Sequence, residues 1–123
     1  MASKPSFPIS LSAKTDNEFH IECFADVERT IPFDFSGAYT FLASVWSKGG
    51  KKELAKLNVT AIEGSAPPKK SVLRFFMGEL ESDKLIGHEE GEWDLYIDPP
   101  SGNSDRPFKV SKVTIQQART DHA

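Results

Sequence analysis

Apolar residues recur at every second position through residues 39–46. One side of this extended segment would carry Tyr39, Phe41, Ala43 and Val45, and the other side would carry Thr40, Leu42, Ser44 and Trp46. Because both sides hold apolar bulk, the pattern predicts a central β-strand with the core on one face and another covering, such as a neighbouring subunit, on the other. Leu42 and Trp46 are therefore candidate partner-contact residues.

Further short segments, separated by glycine and proline turns, also predict strands, most of them by the same alternation and residues 72–77 by a run of apolar side chains. These segments span residues 18–25, 54–62, 72–77, 92–98 and 108–117. Residues 54–62 also fit a helical spacing, but their β-branched side chains and the preceding Gly-Gly turn favour a strand. A phase slip across Ser111 and Lys112 indicates a β-bulge. Six or seven short strands predict an all-β fold, a single antiparallel β-sandwich of immunoglobulin-like type.

Two stretches of the chain depart from the strand pattern. Residues 78–91 are acidic and bounded by glycines, and Leu80, Leu85 and Ile86 could seat a short helix on the core. Residues 1–17 are irregular and predict an arm, either a flexible tail or an extended segment that drapes over a partner. The predicted organisation is an arm at residues 1–17, a sandwich domain at residues 18–117 and a frayed tail at residues 118–123.

Within the arm, alternate apolar residues would suit an added strand. We take them as further candidate partner contacts: Phe7, Ile9 and Leu11.

Composition narrows the classes of partner. Hydrophobic residues make up 38% of the 123, with nine Phe and two Trp, which suffices for one core. Fifteen basic and eighteen acidic residues leave a net charge of −3, so no general attraction to nucleic acid or to anionic membrane is expected. No apolar run reaches the ~20 residues that cross a bilayer, and no secretion leader is expected. Cys23 is the lone cysteine and is interpreted as a small core residue.

The sequence carries no enzyme signature. His88 and Glu89 lack the second histidine of a zinc protease, and Lys84 stands where an acidic calcium loop needs glycine. We therefore predict a protein that is not an enzyme and that has no metal and no cofactor. An alternative function is carbohydrate binding on an aromatic platform built from Trp46, Trp93 or Tyr96.

Several short motifs together resemble a known family. They are FDFSGAYT at residues 33–40, the strand at residues 72–76, GEWDL at residues 91–95, and Arg106 followed by KVSKVTI at residues 109–115. In this order they resemble the immunoglobulin-like β-sandwich domains of tailed-phage virion proteins, such as the N-terminal domain of baseplate upper and fibre-anchoring proteins. The resemblance covers about residues 19–120. Trp93 stands where the family has a tyrosine, and Ser111-Lys112 where it usually has glycine.

The resemblance implies a structural role in the virion. A domain of this family would dock onto a multimeric core of the tail, baseplate, fibre attachment or capsid decoration. Its partners would be other virion proteins and copies of itself, and it would be assembled in the host cytoplasm. A carbohydrate-binding module, or an inhibitor whose edge strand or loop occupies a target, remains the alternative.

Overall fold

The computed structural model describes residues 5–25 and 28–117, and these residues form an all-β fold with one short helix. The bounds in chain order are β1 Ile9–Ser12, β2 Asn17–Glu22, β3 Thr40–Ser47, β4 Glu53–Ile62, β5 Val72–Met77, α1 Glu79–Ser82, β6 Glu90–Asp98 and β7 Ser111–Gln116. A 3-10 turn at Asp83–Leu85 follows α1. The all-β class and the short helix predicted from the sequence are confirmed. The predicted frayed tail at residues 118–123, and residues 1–4 of the arm, lie outside the described part of the chain.

The strands form one mixed sheet that curls until it is nearly closed into a barrel. Their order is β1-β7-β6-β3-β4-β5-β2. All neighbours are antiparallel except β1 and β7, which pair in parallel, with Ile9 opposite Val113 and Leu11 opposite Ile115. The expectation of a purely antiparallel arrangement therefore needs correction. Alternation of side chains predicts which residues face inward, but it does not determine the direction in which a terminal segment joins a sheet edge.

β4 turns the corner between the two halves of the sheet. Its first half pairs with β3, where Leu57 lies opposite Ala43, and its second half pairs with β5, beginning at Asn58. The first half of β4 therefore has one edge without a strand partner among the described residues. α1 lies along this edge, and the Lys56 N–H donates to Glu81 Oε2 of α1 at 2.8 Å. The short helix thus satisfies a strand edge.

β3 is the central strand that the alternation predicted, flanked by β6 and β4. Ala43 and Val45 face inward and are fully buried, whereas Leu42 is exposed on the other side. The hairpin from β3 to β4 turns at Gly49 and Gly50, both with positive φ, which is the conformation that the Gly-Gly pair predicted.

The core centres on Trp93 of β6, whose side chain is 0% exposed. Its ring contacts Phe75 of β5 and Phe19 of β2 at centroid distances of 5.5 and 5.7 Å, both edge to face. Phe108 packs on it at 4.8 Å. Since these rings come from both halves of the sheet, Trp93 holds the two halves together.

Two local expectations were wrong. Of the three apolar residues expected to seat the helix, only Leu85 is buried, whereas Leu80 and Ile86 are exposed. A helix this short turns too few side chains toward the sheet for all three to reach it.

No helix within the described ranges is long and apolar enough to span a bilayer.

The predicted bulge across Ser111 and Lys112 is also absent from the pairing of β6 with β7, which runs in regular register from Glu90–Thr114 to Trp93–Ser111. Phe108 reaches the core from the loop before β7, so the phase slip marks the start of the strand. The register shift that does occur lies between Val45 and Trp46, in the pairing of β3 with β4.

Candidate functional site

The arm residues predicted as partner contacts lie against their own chain. Leu11 is 1% exposed in the core. Phe7 remains 38% exposed but packs its ring on Phe108, and its backbone oxygen accepts a 2.8 Å hydrogen bond from Trp93 Nε1. Ile9 is half-buried beside the core. The side chain of Leu11 is therefore assigned to the core, and partner contact by Phe7 or Ile9 stays a prediction.

Leu42 and Trp46 lie elsewhere, on the side of β3 that faces away from the core. Leu42 is 52% exposed and stands directly opposite Tyr96 of β6, which is 38% exposed. Trp46 lies on the same face, four residues further along β3 and opposite Glu92 of β6. We call the side chains of Leu42, Trp46, Asp94, Tyr96 and Arg106 the outer face.

A charge network orders this outer face. Asp94 is only 8% exposed although its strand position points outward, because neighbouring side chains cover it. Trp46 Nε1 donates to Asp94 Oδ1 at 3.4 Å, and Arg106 Nη2 lies 3.7 Å from Asp94 Oδ2. The Arg106 guanidinium also stacks over the Tyr96 ring, 4.7 Å from its centroid, and hydrogen-bonds the Tyr96 hydroxyl. One carboxylate thus positions an indole and a guanidinium.

Sequence reasoning found part of this arrangement. Alternation placed Leu42, Trp46, Asp94 and Tyr96 on outward positions, but it could not bring them together because strand pairing is a tertiary property. Arg106 was missed because it comes from a loop rich in glycine and proline, where no periodicity indicates a direction.

A second feature lies at one end of the sheet, where an aromatic cleft with a cavity volume of about 290 Å³ opens to solvent between two loops. Its described lining consists of Cys23, Phe24, Phe33, Phe35, Tyr39, Ile97, Pro99, Asp105 and Pro107. The recognisable FDFSGAY segment thus forms one wall. The sequence signal for this wall was the density of aromatic residues around Gly37.

Hydrogen bonds fix the FDFSGAY wall of the cavity. Asp34 Oδ1 accepts the Ser36 N–H, the Ser36 hydroxyl and the Lys70 N–H at 3.0, 2.7 and 3.0 Å. The Phe35 N–H donates to the Lys70 carbonyl at 3.0 Å. The hydroxyl of Ser36, followed by the backbone N–H groups of Lys70 and Ser36, lowers the pKa of Asp34 below its ordinary value. The opposite wall is held by paired backbone bonds between Ile97 and Asp105 at 2.7 and 2.8 Å.

Cys23 lines this cavity without the features of a nucleophile. Burial raises the pKa of its thiol to about 11, and the neighbouring Glu22 charge acts in the same direction. The thiol therefore stays protonated near neutral pH and behaves as a small apolar side chain. Its packing against the core agrees with the interpretation from the sequence.

The described residues hold no group of three or more histidine, cysteine or acidic side chains that could bind a metal ion. Of the acidic run that resembles a calcium loop, Glu81 is engaged by Lys84 at 3.0 Å and by the Lys56 N–H.

No family model matches the chain, and no curated protein matches it. The outer face and the cavity are therefore the features of the chain from which a function can be inferred.

Proposed function

We propose that this chain is a docking module of a tailed-phage virion and that it acts by protein–protein contact through the outer face. Its partners would be other virion proteins and copies of itself, in a tail, baseplate, fibre attachment or capsid decoration. The immunoglobulin-like relationship belongs to the same proposal. The virion assignment is supported by the motifs at residues 33–40, 91–95 and 109–115; the docking role is supported by the outer face.

The observation that carries the docking role is the composition of the outer face. Tryptophan, tyrosine and arginine are the residues most enriched among those that dominate binding energy at protein interfaces. Trp46 and Arg106 meet at Asp94 on this face, and Tyr96, which Arg106 also contacts, stands opposite the exposed Leu42. Isolated exposed leucines are ordinary on a protein surface. A leucine on the same face as these three side chains matches the mixture of apolar and polar groups found at interfaces.

The polar contacts of the outer face favour binding for a second reason. Long side chains lose conformational entropy when a partner immobilises them, at a cost of roughly 0.5–1.5 kcal/mol each. Arg106 is already held by Asp94 and by the Tyr96 ring. Much of that cost is therefore met when the chain folds, before any partner arrives.

The test is the mass of the purified chain by gel filtration with light scattering, alone and mixed with structural proteins encoded beside its gene. The proposal expects a mass above the 13.6 kDa of one chain in at least one of these samples. Tyr96→Ala and Arg106→Ala should each lower the fraction assembled. A 13.6 kDa monomer in every sample would overturn the proposal.

Carbohydrate binding stays the alternative prediction, with a smaller platform than the sequence suggested. Trp93 cannot contribute because its side chain is fully buried in the core. Arg106 covers one face of the Tyr96 ring, the kind of surface on which a sugar would stack. Trp46 and the other face of Tyr96 remain candidates, and quenching of Trp46 fluorescence by host surface polysaccharides would favour this function.

A further inference from the structure

We propose that the aromatic cavity between the FDFSGAY segment and the end of β6 binds a small quaternary ammonium group, such as that of choline. This binding site is separate from the docking role of the outer face. The residues that would carry it are Phe33, Phe35, Tyr39 and Asp105.

The arrangement of the rings supports a cation site. The Phe33 and Tyr39 rings have centroids 6.1 Å apart and planes at 80°, and the Phe35 and Tyr39 rings have centroids 5.5 Å apart at 85°. All three rings line the same cavity. A cation attracted to aromatic faces lies within about 6 Å of the ring centroid, so the spacing allows one cation to contact Phe33 and Tyr39 together.

The charge of the lining points the same way. Asp105, an exposed residue, is the only acidic one among the described lining residues, and none of them is a lysine, an arginine or a histidine. The nearest arginine in sequence, Arg106, directs its guanidinium to Asp94 and Tyr96 on the outer face. The lining is otherwise apolar. It therefore favours a cation that is poorly hydrated over an anion or a strongly hydrated ammonium.

Size and rigidity restrict the ligand further. Sites for drug-sized ligands begin at about 300 Å³, so a cavity of about 290 Å³ suits a group of a few heavy atoms. The walls are fixed by the Asp34 contacts on one side and by the Ile97–Asp105 backbone pair on the other. A ligand would thus enter a preformed site and would pay little to order it.

The test compares choline with its uncharged isostere, 3,3-dimethylbutan-1-ol, on the unmodified chain by NMR titration. We expect choline to shift the signals of Phe33, Tyr39 and Asp105 saturably, and to bind roughly 5- to 10-fold more tightly than the alcohol, as one or two cation–π contacts would give. This comparison needs no variant to fold. Equal binding of the two ligands, or no shift of the cavity signals by choline, would overturn the proposal.

Variants locate the site. Phe33→Leu and Tyr39→Leu keep apolar bulk but remove the aromatic face, and each should abolish most of the preference for choline over the alcohol. Phe76→Leu is the matched control, because this ring lies outside the cavity beneath Arg74. Asp105→Asn should weaken choline binding and leave the alcohol unaffected. A preference for choline that survives both Phe33→Leu and Tyr39→Leu would contradict the assignment, whatever the state of the outer face.

Discussion

One carboxylate organises the outer face and another fixes one wall of the aromatic cavity, and the two carboxylates work differently. Asp94 is nearly buried and is contacted by two side chains distant in sequence, Trp46 and Arg106. Asp34 is exposed and accepts mainly from its own turn and from the Lys70 backbone. A buried carboxylate with remote partners fixes tertiary structure, whereas an exposed one orders a local turn. The aromatic residues differ in the same sense, since Phe35 belongs to the core and Tyr96 to the surface.

The largest effect should come from the aromatic residues. Phe35→Ala removes a ring that is 5% exposed, so we expect a loss of roughly 3–5 kcal/mol in the free energy of unfolding, measured by chemical denaturation. Tyr96→Ala removes a ring of the outer face and should cost below about 1 kcal/mol. Equal losses in the free energy of unfolding for the two variants would contradict the assignment of Phe35 to the core and of Tyr96 to the surface.

The next effect concerns Asp94. Asp94→Ala leaves the Trp46 N–H and the Arg106 guanidinium without this acceptor, and we expect a loss of about 1–3 kcal/mol in the free energy of unfolding. The control is Asp98→Ala, which removes an exposed carboxylate from the same side of β6 and should change stability by about 0.5 kcal/mol or less. If both variants unfold at the same denaturant concentration, Asp94 does not organise the outer face.

A smaller effect is expected from pH at Asp34. Its pKa is lower in the folded chain than the ordinary value of 3.8, so the stability it contributes is present above that value and is lost as pH falls through the folded pKa. Asp34→Asn should therefore flatten the decline of melting temperature below about pH 4. The decline will not vanish, because hydrogen bonds also lower the pKa of Glu22 and Glu90. Identical pH profiles for Asp34→Asn and the unmodified chain would contradict a stabilising role for the hydrogen bonds that Asp34 accepts in the FDFSGAY segment.

Local patterns in the sequence predicted most of the strands, and tertiary relations account for what they missed. Alternation predicted which side chains of β3 and β6 face inward, and the strand predicted at residues 72–77 coincides with β5. The parallel pairing of β1 with β7 and the burial of Asp94 depend on partners far along the chain, which a local pattern does not specify. The same limit applies to the cavity, whose described walls come from residues 23–24, 33–39 and 97–107.

The most direct measurement of the central claim is the association of two leucine variants by sedimentation velocity, under whichever condition assembles the unmodified chain. Leu42→Ser removes an exposed side chain from the outer face, and Leu80→Ser removes a still more exposed leucine from α1, outside that face. Neither should change the free energy of unfolding by more than about 0.5 kcal/mol. We expect Leu42→Ser to weaken association about tenfold, because burying a leucine side chain at a contact is worth roughly 1.5 kcal/mol or more, while Leu80→Ser assembles normally. Normal assembly of Leu42→Ser, or equal weakening by both variants, would contradict docking through the outer face.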